Sequence, residues 1–135
     1  MIGLKKQVLG FLFDEELKYV ALIRKNRPEW MKDKFNGIGG KVEEGETFDA
    51  AMIREFFEET GVTLKDWIYD RTYVFMEYKS MLQVFSAKSN KIFEVKTTTD
   101  EEIFIIPLEE LKNFPIIENV EWMIKDCLSK FKVSN

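Results

Sequence analysis

The stretch GGKVEEGETFDAAMIREFFEETGV, residues 39–62, joins a glycine-rich turn to a segment of helical periodicity, and it determines much of the fold. From about Thr47 the apolar residues recur at intervals of three and four, which is typical of a helix packed on a core. Gly61 follows where helices commonly end in a left-handed residue. We therefore predict a helix over residues 47–60. Its core-facing stripe is expected to consist of Ala50, Ile53 and Phe57.

The predicted helix also carries a concentration of charge. At about 100° per residue, Glu55, Glu58 and Glu59 fall within an arc of roughly 100°. Arg54 borders this arc one turn before Glu58, and Glu46 precedes the helix, where the dipole favours an acid. An acidic face alone is commonly a solvated surface, because like charges at this spacing cost only about a few tenths of a kcal/mol. The adjoining glycine-rich turn can bring backbone atoms close to a charged ligand, and it favours a binding site instead.

The pattern outside this stretch predicts one mixed domain. Alternating apolar segments indicate strands at 6–13, 18–25, 67–78 and 80–89, with a turn at 14–17. Residues 27–40 are expected to form a loop, and residues 101–114 a strand that runs into a short helix. With 135 residues and 45% apolar content, the chain is long enough for a single core over residues 1–135. We predict an α/β (α+β) fold in which a mixed β-sheet is covered by helices.

A second amphipathic helix is predicted at residues 117–131. The apolar residues on one side of this segment are separated by three or four positions, so we expect that side to be buried. The buried set is predicted to be Val120, Met123, Ile124, Cys127, Leu128 and Phe131.

Composition excludes several classes of function. The chain has no histidine and a single cysteine, Cys127, so histidine-based triads and the usual zinc sites are excluded. A catalytic metal would then be held by oxygen, which favours Mg²⁺ or Mn²⁺. A net charge of −4 argues against binding to duplex nucleic acid. The unpaired cysteine, the lack of a bilayer-length apolar run and a start unlike a signal peptide predict a cytoplasmic protein without membrane contact.

The spacing within residues 40–62 resembles the box of the Nudix hydrolases. In that box, Gly is followed after five residues by Glu, and then after seven by Arg-Glu-apolar-x-Glu-Glu-x-Gly-apolar. This sequence fills every position, with Gly40, Glu46, Arg54, Glu55, Phe56, Glu58, Glu59, Gly61 and Val62. The resemblance implies a mixed sheet between helices, and cleavage of a pyrophosphate linkage in a nucleoside diphosphate derivative with Mg²⁺ or Mn²⁺.

The resemblance also implies roles for individual residues. The metal ligands would be the Gly39 carbonyl and the carboxylates of Glu55, Glu58 and Glu59. Arg54 would hold these glutamates, and Glu46 would order the loop by pairing with Arg54. Glu55 is the candidate base that accepts the proton of water. A further acid from a later loop joins the metal in several relatives, and Glu101 is our choice among Asp100, Glu101 and Glu102.

Substrate residues are suggested by a second, partial resemblance. The segment FNGIGGKVEEGET, residues 35–47, is similar to one in the oxidised-purine nucleoside triphosphatases, where the asparagine contacts the base. Asn36 holds that place, although a structural turn before Gly37 is an alternative for it. Near the closing helix, Glu118 or Asn119 and Trp122 are candidates for base contacts, with a core position as the alternative for Trp122. The candidate phosphate partners are Arg24, Lys25 and Lys41.

These resemblances lead to one expected function and two alternatives. The expected function is hydrolysis of (deoxy)nucleoside triphosphates to monophosphate and pyrophosphate, with oxidised purine dNTPs such as 8-oxo-dGTP as candidates in nucleotide pool sanitation. One alternative is the same chemistry on ADP-ribose, a nucleotide sugar, a dinucleotide or a capped RNA end. The other is a binding module with no catalysis, which the complete box disfavours. The expected partner is a small nucleotide, and the expected state a monomer or homodimer.

Overall fold

The computed structural model describes residues 3–133, which form seven strands and two α-helices. The strands are β1 (Lys5–Phe13), β2 (Tyr19–Arg24), β3 (Phe35–Asn36), β4 (Ile38–Lys41), β5 (Ile68–Phe75), β6 (Ser80–Lys88) and β7 (Ile103–Pro107). The helices are α1 (Phe48–Thr60) and α2 (Val120–Val133). Short 3₁₀ helices occupy Glu29–Met31, Met76–Tyr78, Asn90–Glu94 and Leu108–Asn113.

Strand β1 is the centre of the sheet. It pairs in parallel with β6 along its whole length, and antiparallel with β4 and β2 on its other edge. The sheet has the order β3–β2–β1–β6–β5, with β4 joined to β1 and β7 joined to β2. The predicted mixed sheet is therefore confirmed.

Alternation along β1 divides the interior into two cores. Leu9, Phe11 and Phe13 belong to one core, which they share with the buried side of α2. Val8 and Leu12 point the other way, into a core closed by α1. The sheet thus lies between the two helices, as the fold prediction required.

The turn between β1 and β2 is organised by one buried carboxylate. Asp14, at the end of β1, accepts hydrogen bonds from the backbone N–H groups of Glu16, Lys18 and Tyr19, the last two at 2.7 Å. Backbone donors that the turn would leave without partners are satisfied in this way. The predicted turn at residues 14–17 is confirmed.

The predicted core-facing stripe of α1 was wrong by about one position. Phe57 is 51% exposed and Ala50 is also exposed, whereas Met52 and Phe56 are fully buried. The helix carries two apolar stripes, and the one that contains Met52 and Phe56 packs on the sheet. A Cβ at Gly10 would lie 2.5 Å from the Met52 methyl carbon, so the absence of a side chain there lets Met52 lie on the sheet.

The prediction for residues 27–40 was also wrong in part. The segment contains a 3₁₀ helix at Glu29–Met31 and the strands β3 and β4. Glycines at positions 37, 39 and 40 weaken the sequence signal for a strand, but β4 pairs with β1 at Gly39 and Gly40. At Gly39 the backbone of β1 leaves no room for a side chain, which accounts for the glycine there.

Helix α2 follows the sequence prediction. Val120, Met123, Ile124 and Cys127 are buried, and Leu128 and Phe131 are partly buried against the same core. Neither helix within residues 3–133 has the length and apolar character needed to cross a membrane.

Replacing Gly39 by alanine should destabilise the fold. The added Cβ would lie 1.9 Å from the Val8 carbonyl oxygen, a backbone atom of β1, so two paired strands must move apart. Overpacking of this kind costs about 3 kcal/mol. Urea unfolding of Gly39→Ala should therefore show a clearly lower midpoint than the wild type. The control is Gly3→Ala, because no atom lies within 4 Å of a Cβ at Gly3. Equal midpoints for Gly39→Ala and Gly3→Ala would contradict the packing described here.

Candidate active site

Helix α1 is fixed at both ends by local interactions. The Thr47 side chain accepts a hydrogen bond from the Ala50 N–H at 3.1 Å and caps the first turn. At the other end Gly61 has φ of 76° and donates its N–H to the Phe57 carbonyl. These caps fix the two ends of the helix close to the predicted residues 47–60.

Gly40 and the Glu55 side chain lie against each other. A Cβ at Gly40 would lie 2.4 Å from the carboxyl carbon of Glu55, so the carboxylate occupies the space that a side chain would need. Glu55 is consequently 14% exposed, whereas Glu58 is 53% exposed. The glycine of the box therefore makes the pocket for its first helical glutamate.

Arg54 organises the acidic face. Its guanidinium donates to both oxygens of Glu46, at 2.8 and 3.0 Å, in the bidentate geometry that arginine favours. One Nη1 group also donates to Glu55 at 2.9 Å and to Glu58 at 3.1 Å, and Nη2 donates to the Lys41 carbonyl. The predicted contact between Arg54 and Glu46 is present, and a single cation holds the loop, the end of β4 and two helical acids together.

The environment shifts the pKa values of these acids in opposite directions. Hydrogen bonds from Arg54, with one from the Glu43 backbone, lower the pKa of Glu46 to about 2. Burial raises the pKa of Glu55, with Glu58 and Glu59 adding to the rise and Arg54 opposing it. Burial likewise raises the pKa of Glu59, although a hydrogen bond from Thr99 opposes that rise. The raised pKa values of Glu55 and Glu59 indicate carboxylates that have lost part of their hydration. A bound cation would stabilise their negative charge.

Glu101 lies close to Glu59 but is engaged by other residues. It is 5% exposed and accepts hydrogen bonds from the Asn26 N–H at 2.7 Å and from Lys25 Nζ at 3.0 Å. Burial alone would raise the pKa of Glu101, but these hydrogen bonds outweigh it and the pKa lies below its ordinary value. Thr99 connects the two acids, since its hydroxyl contacts Glu59 at 3.2 Å and accepts from the Glu101 N–H at 3.1 Å.

A cleft of about 620 Å³ opens beside the acidic face. Its lining includes Gly39, Gly40, Glu59 and Lys25. The floor belongs to the α2-side core, with Leu9, Leu82, Ile117, Val120 and Met123. Trp30, Phe75, Tyr78, Asn36, Glu118 and Asn119 also line the cleft. The volume lies within the range of small-molecule sites in proteins.

The structure divides the predicted substrate residues into two groups. Asn36 and Asn119 line the cleft; Asn36 Oδ1 also accepts from the Gly37 N–H at 2.8 Å. Arg24, Lys41 and Trp122 are not part of its lining. Arg24 pairs with Glu102 at 3.2 Å. Lys41 lines a separate pocket of about 460 Å³ with the two lysines at the start of β1.

Sequence reasoning missed the aromatic residues of the cleft. Trp30 and Tyr78 come from two 3₁₀ helices, whose short length gives no periodic signal. The sequence places Trp30 in a predicted loop and Tyr78 at the end of a predicted strand. In such segments the sequence alone does not distinguish an aromatic residue that lines a cleft from one that is buried in the core. Their position is set by tertiary contacts alone.

The donor set fits a hard divalent cation. All candidate ligands are oxygens, namely the carboxylates of Glu55, Glu58, Glu59 and Glu101 and the Gly39 carbonyl, which is the chemistry that Mg²⁺ and Mn²⁺ require. Within residues 3–133 no three acidic or cysteine side chains form a ready-made metal cage. Glu55 and Glu58 each direct one carboxylate oxygen to the Arg54 guanidinium. A bound cation would compete with Arg54 for these oxygens.

Comparison with known proteins identifies the family. A family profile described as NUDIX domain matches residues 3–126 of this chain. The chain belongs to the Nudix family. The resemblance stated from the box is therefore confirmed, as is the prediction that the chain is a Nudix hydrolase at the level of family.

Individual Nudix relatives are more distant. An oxidized purine nucleoside triphosphate hydrolase of Danio rerio is 55% identical over 31 residues, which cover 23% of this chain and 20% of that protein. The NUDIX domain of Shewanella oneidensis NrtR, solved with ADP ribose, has a TM-score of 0.78 at 15% identity, covering 97% of this chain and 90% of that one. A MutT protein from Methanosarcina mazei has a TM-score of 0.70 at 20% identity, covering 96% of each chain. These structural similarities establish the fold.

Replacing Gly40 by alanine should disable the site without unfolding the protein. The new Cβ would displace the Glu55 carboxylate, the end of a flexible side chain, and not backbone. A displacement of about 1 Å at a catalytic group costs on the order of 100-fold in rate. We expect Gly40→Ala to lose about that factor in kcat/KM in a pyrophosphate-bond hydrolysis assay, with an unfolding midpoint close to that of the wild type. A variant as active as the wild type would show that Glu55 does not need its observed position.

The contribution of Glu46 to stability should depend on pH. Its pKa in the folded protein, about 2, lies below its ordinary value of 4.5, so ionised Glu46 stabilises the folded state. The difference in free energy of unfolding between wild type and Glu46→Gln should have its full size above about pH 5. It should decline as the pH falls from 4.5 toward 2. Urea unfolding across this range measures it. Glu44→Gln is the control, because Glu44 makes no hydrogen bond or ion pair within residues 3–133, and a similar pH profile for it would refute the assignment.

Proposed function

We propose that this protein is a Mg²⁺- or Mn²⁺-dependent Nudix pyrophosphohydrolase that cleaves (deoxy)nucleoside triphosphates to monophosphate and pyrophosphate. Oxidised purine dNTPs such as 8-oxo-dGTP are the candidate substrates. One observation carries the proposal: Gly39, Gly40 and Glu59, which belong to the acidic site, also line a nucleotide-sized cleft. A phosphate chain bound beside these residues would lie against the acids while the nucleoside occupies the rest of the cleft.

The proposed metal ligands are the box residues. Glu55, Glu58, Glu59 and the Gly39 carbonyl would hold the cation, with Glu101 as the candidate from the later loop. A divalent cation bound there offsets phosphate charge and lowers the pKa of water. The hydrogen bonds of Glu101 to Lys25 and Asn26 would have to rearrange for it to join this set.

The remaining residues of the site act by holding groups in place. Arg54 positions Glu55 and Glu58, and Glu46 fixes the guanidinium through two hydrogen bonds. Glu55, in the space left by Gly40, is the proposed acceptor of the proton from the attacking water. Positioning of this kind accounts for a large part of the rate enhancement in phosphoryl chemistry.

For the substrate we propose a smaller set than the sequence suggested. Lys25 lines the cleft together with Glu59, and its charge suits a phosphate. Asn36 and Asn119 line the same cleft, and their side-chain amides suit a base. We propose no substrate role for Arg24, Lys41 or Trp122, because they do not line the cleft. A cytoplasmic location and a monomeric or homodimeric state stay predictions.

The substrate proposal is tested by a panel of nucleotides. Purified protein with Mg²⁺ would receive 8-oxo-dGTP, the four common dNTPs, ADP-ribose, a nucleotide sugar and a dinucleotide, with pyrophosphate and monophosphate release measured separately. We expect pyrophosphate from 8-oxo-dGTP at the highest kcat/KM. Equal turnover of all dNTPs would remove the preference for oxidised bases. Preferential cleavage of ADP-ribose would favour the alternative substrate class, a comparison prompted by the ligand of the Shewanella oneidensis domain.

Loss of the box carboxylates should abolish turnover and leave the fold intact. Glu58 is exposed and Glu59 only partly buried, so neither supports the core. Glu58→Gln and Glu59→Gln should each reduce kcat by at least about 100-fold, a size typical of the loss of one charge-stabilising group. Glu44→Gln serves as the control in the same loop–helix segment. A Glu58→Gln/Glu59→Gln double variant with wild-type turnover would overturn the carboxylate assignment.

A further inference from the structure

Trp30 is an exposed aromatic residue in an ordered loop. It is 61% exposed, although a large aromatic side chain is one of the most favourable groups to bury. It lines the cleft together with its neighbours Pro28 and Met31. The loop gains nothing for the core from this position, because Trp30 belongs to neither buried cluster.

The loop that carries Trp30 is held on both sides. The Lys25 N–H donates to the Lys34 carbonyl at 2.8 Å, and the Asp33 N–H donates to the Lys25 carbonyl at 2.7 Å, which closes the loop at its base. Asn26 and Arg27 are bound to residues 100 and 101 through the hydrogen bonds to Glu101 and the ion pair between Arg27 and Asp100. Trp30 is therefore presented on a fixed support, which reduces the entropy lost when a ligand binds it.

A second aromatic group lies across the cleft. Tyr78, which is 70% exposed, and Phe75 line the same cleft from the connection between β5 and β6. Trp30 lies in the connection between β2 and β3. Because β2 and β6 pair with opposite edges of β1, the two connections stand on opposite sides of the central strand. The sheet order thus gives the cleft two aromatic walls over an apolar floor.

Polar groups between these walls suit the edge of a nucleobase. Asn36 Oδ1 is occupied by the Gly37 N–H, so its Nδ2 group is left to donate, and within residues 3–133 it has no partner. The side chains of Glu118 and Asn119 line the same cleft and make no hydrogen bonds among the described residues. Together these groups offer one hydrogen-bond donor, one carboxylate acceptor and one amide. A base that has both acceptors and donors on its edge could pair with all of them.

We propose that Trp30 and Tyr78 form a stacking clamp for the base of the bound nucleotide, with Trp30 as the main contact. The occupant is a planar nucleobase, because stacking uses its faces while Asn36, Glu118 and Asn119 reach its edge. The inference rests on the proposed function, since it assigns residues of the same cleft to the base. It gives the aromatic contact with the base to Trp30 and not to Trp122, which the sequence suggested as a base contact.

Trp122 provides a matched control. It is 51% exposed, close to the value for Trp30, but it packs on Arg71 with the guanidinium 5.0 Å from its ring centroid and does not line the cleft. The third tryptophan, Trp67, packs edge-on against Phe56 at 5.1 Å in the α1-side core. A base in the cleft should therefore change the fluorescence of Trp30 selectively.

The test measures binding without hydrolysis. The full chain would be titrated with dGMP and 8-oxo-dGMP in EDTA, by tryptophan fluorescence and by calorimetry. We expect quenching in the wild type and in Trp122→Phe, and its loss in Trp30→Phe. Trp30→Ala should weaken the calorimetric affinity by roughly 5- to 100-fold, as expected for loss of one stacked base, and Tyr78→Ala by a smaller factor. Thermal unfolding of each variant checks that the fold is retained.

Steady-state kinetics separate this inference from the proposed function. Trp30→Ala should raise KM for the hydrolysed nucleotide with little change in kcat, whereas Trp122→Ala should match the wild type. If the protein hydrolyses nucleotides and Trp30→Ala has the wild-type affinity and KM, the clamp is refuted and the hydrolase proposal stands. If no nucleotide is hydrolysed but binding in EDTA depends on Trp30, the clamp stands and the hydrolase proposal fails. Persistent quenching in Trp30→Phe would also refute the clamp.

Discussion

The five hydrogen bonds made by the Arg54 guanidinium are the interaction on which the site depends. They connect the loop before α1, the last residue of β4 and two carboxylates of the helix. Without this cation, acids a few Å apart would repel by about 3 kcal/mol per pair at an effective dielectric near 20. Arginine provides several donors in fixed directions, so it neutralises these charges and also sets their positions.

The central strand β1 links the fold to the cleft. Its alternating side chains supply one core under α1 and another under α2, so both helices are positioned relative to the same backbone. Its pairing with β4 brings Gly39 and Gly40 beside the acidic helix, while its two edges separate the connections that carry Trp30 and Tyr78. The acidic site and the aromatic residues of the cleft are therefore both positioned by their connection to one strand.

The sequence predicted those features that depend on local chemistry. The ends of α1, the turn at Asp14, the central strands and the buried side of α2 follow from capping, turn formation and periodicity. The buried side of α1 did not follow, because Met52 and Phe56 compete with a second apolar stripe, and only the space above Gly10 decides between them. The aromatic walls could not be predicted from the sequence either. Trp30 and Tyr78 line the same cleft because of the order of the strands in the sheet.

The burial of Cys127 has a consequence for chemical durability. The side chain lies fully inside the core under α2, and burial, with the charges of Asp70 and Asp126, raises the pKa of its thiol to about 12. At neutral pH the nucleophilic thiolate is then almost absent, and reaction with peroxides or with other thiols is slow. As the chain has no other cysteine, no internal disulfide can form, and oxidation of thiols is not a route by which this fold is altered.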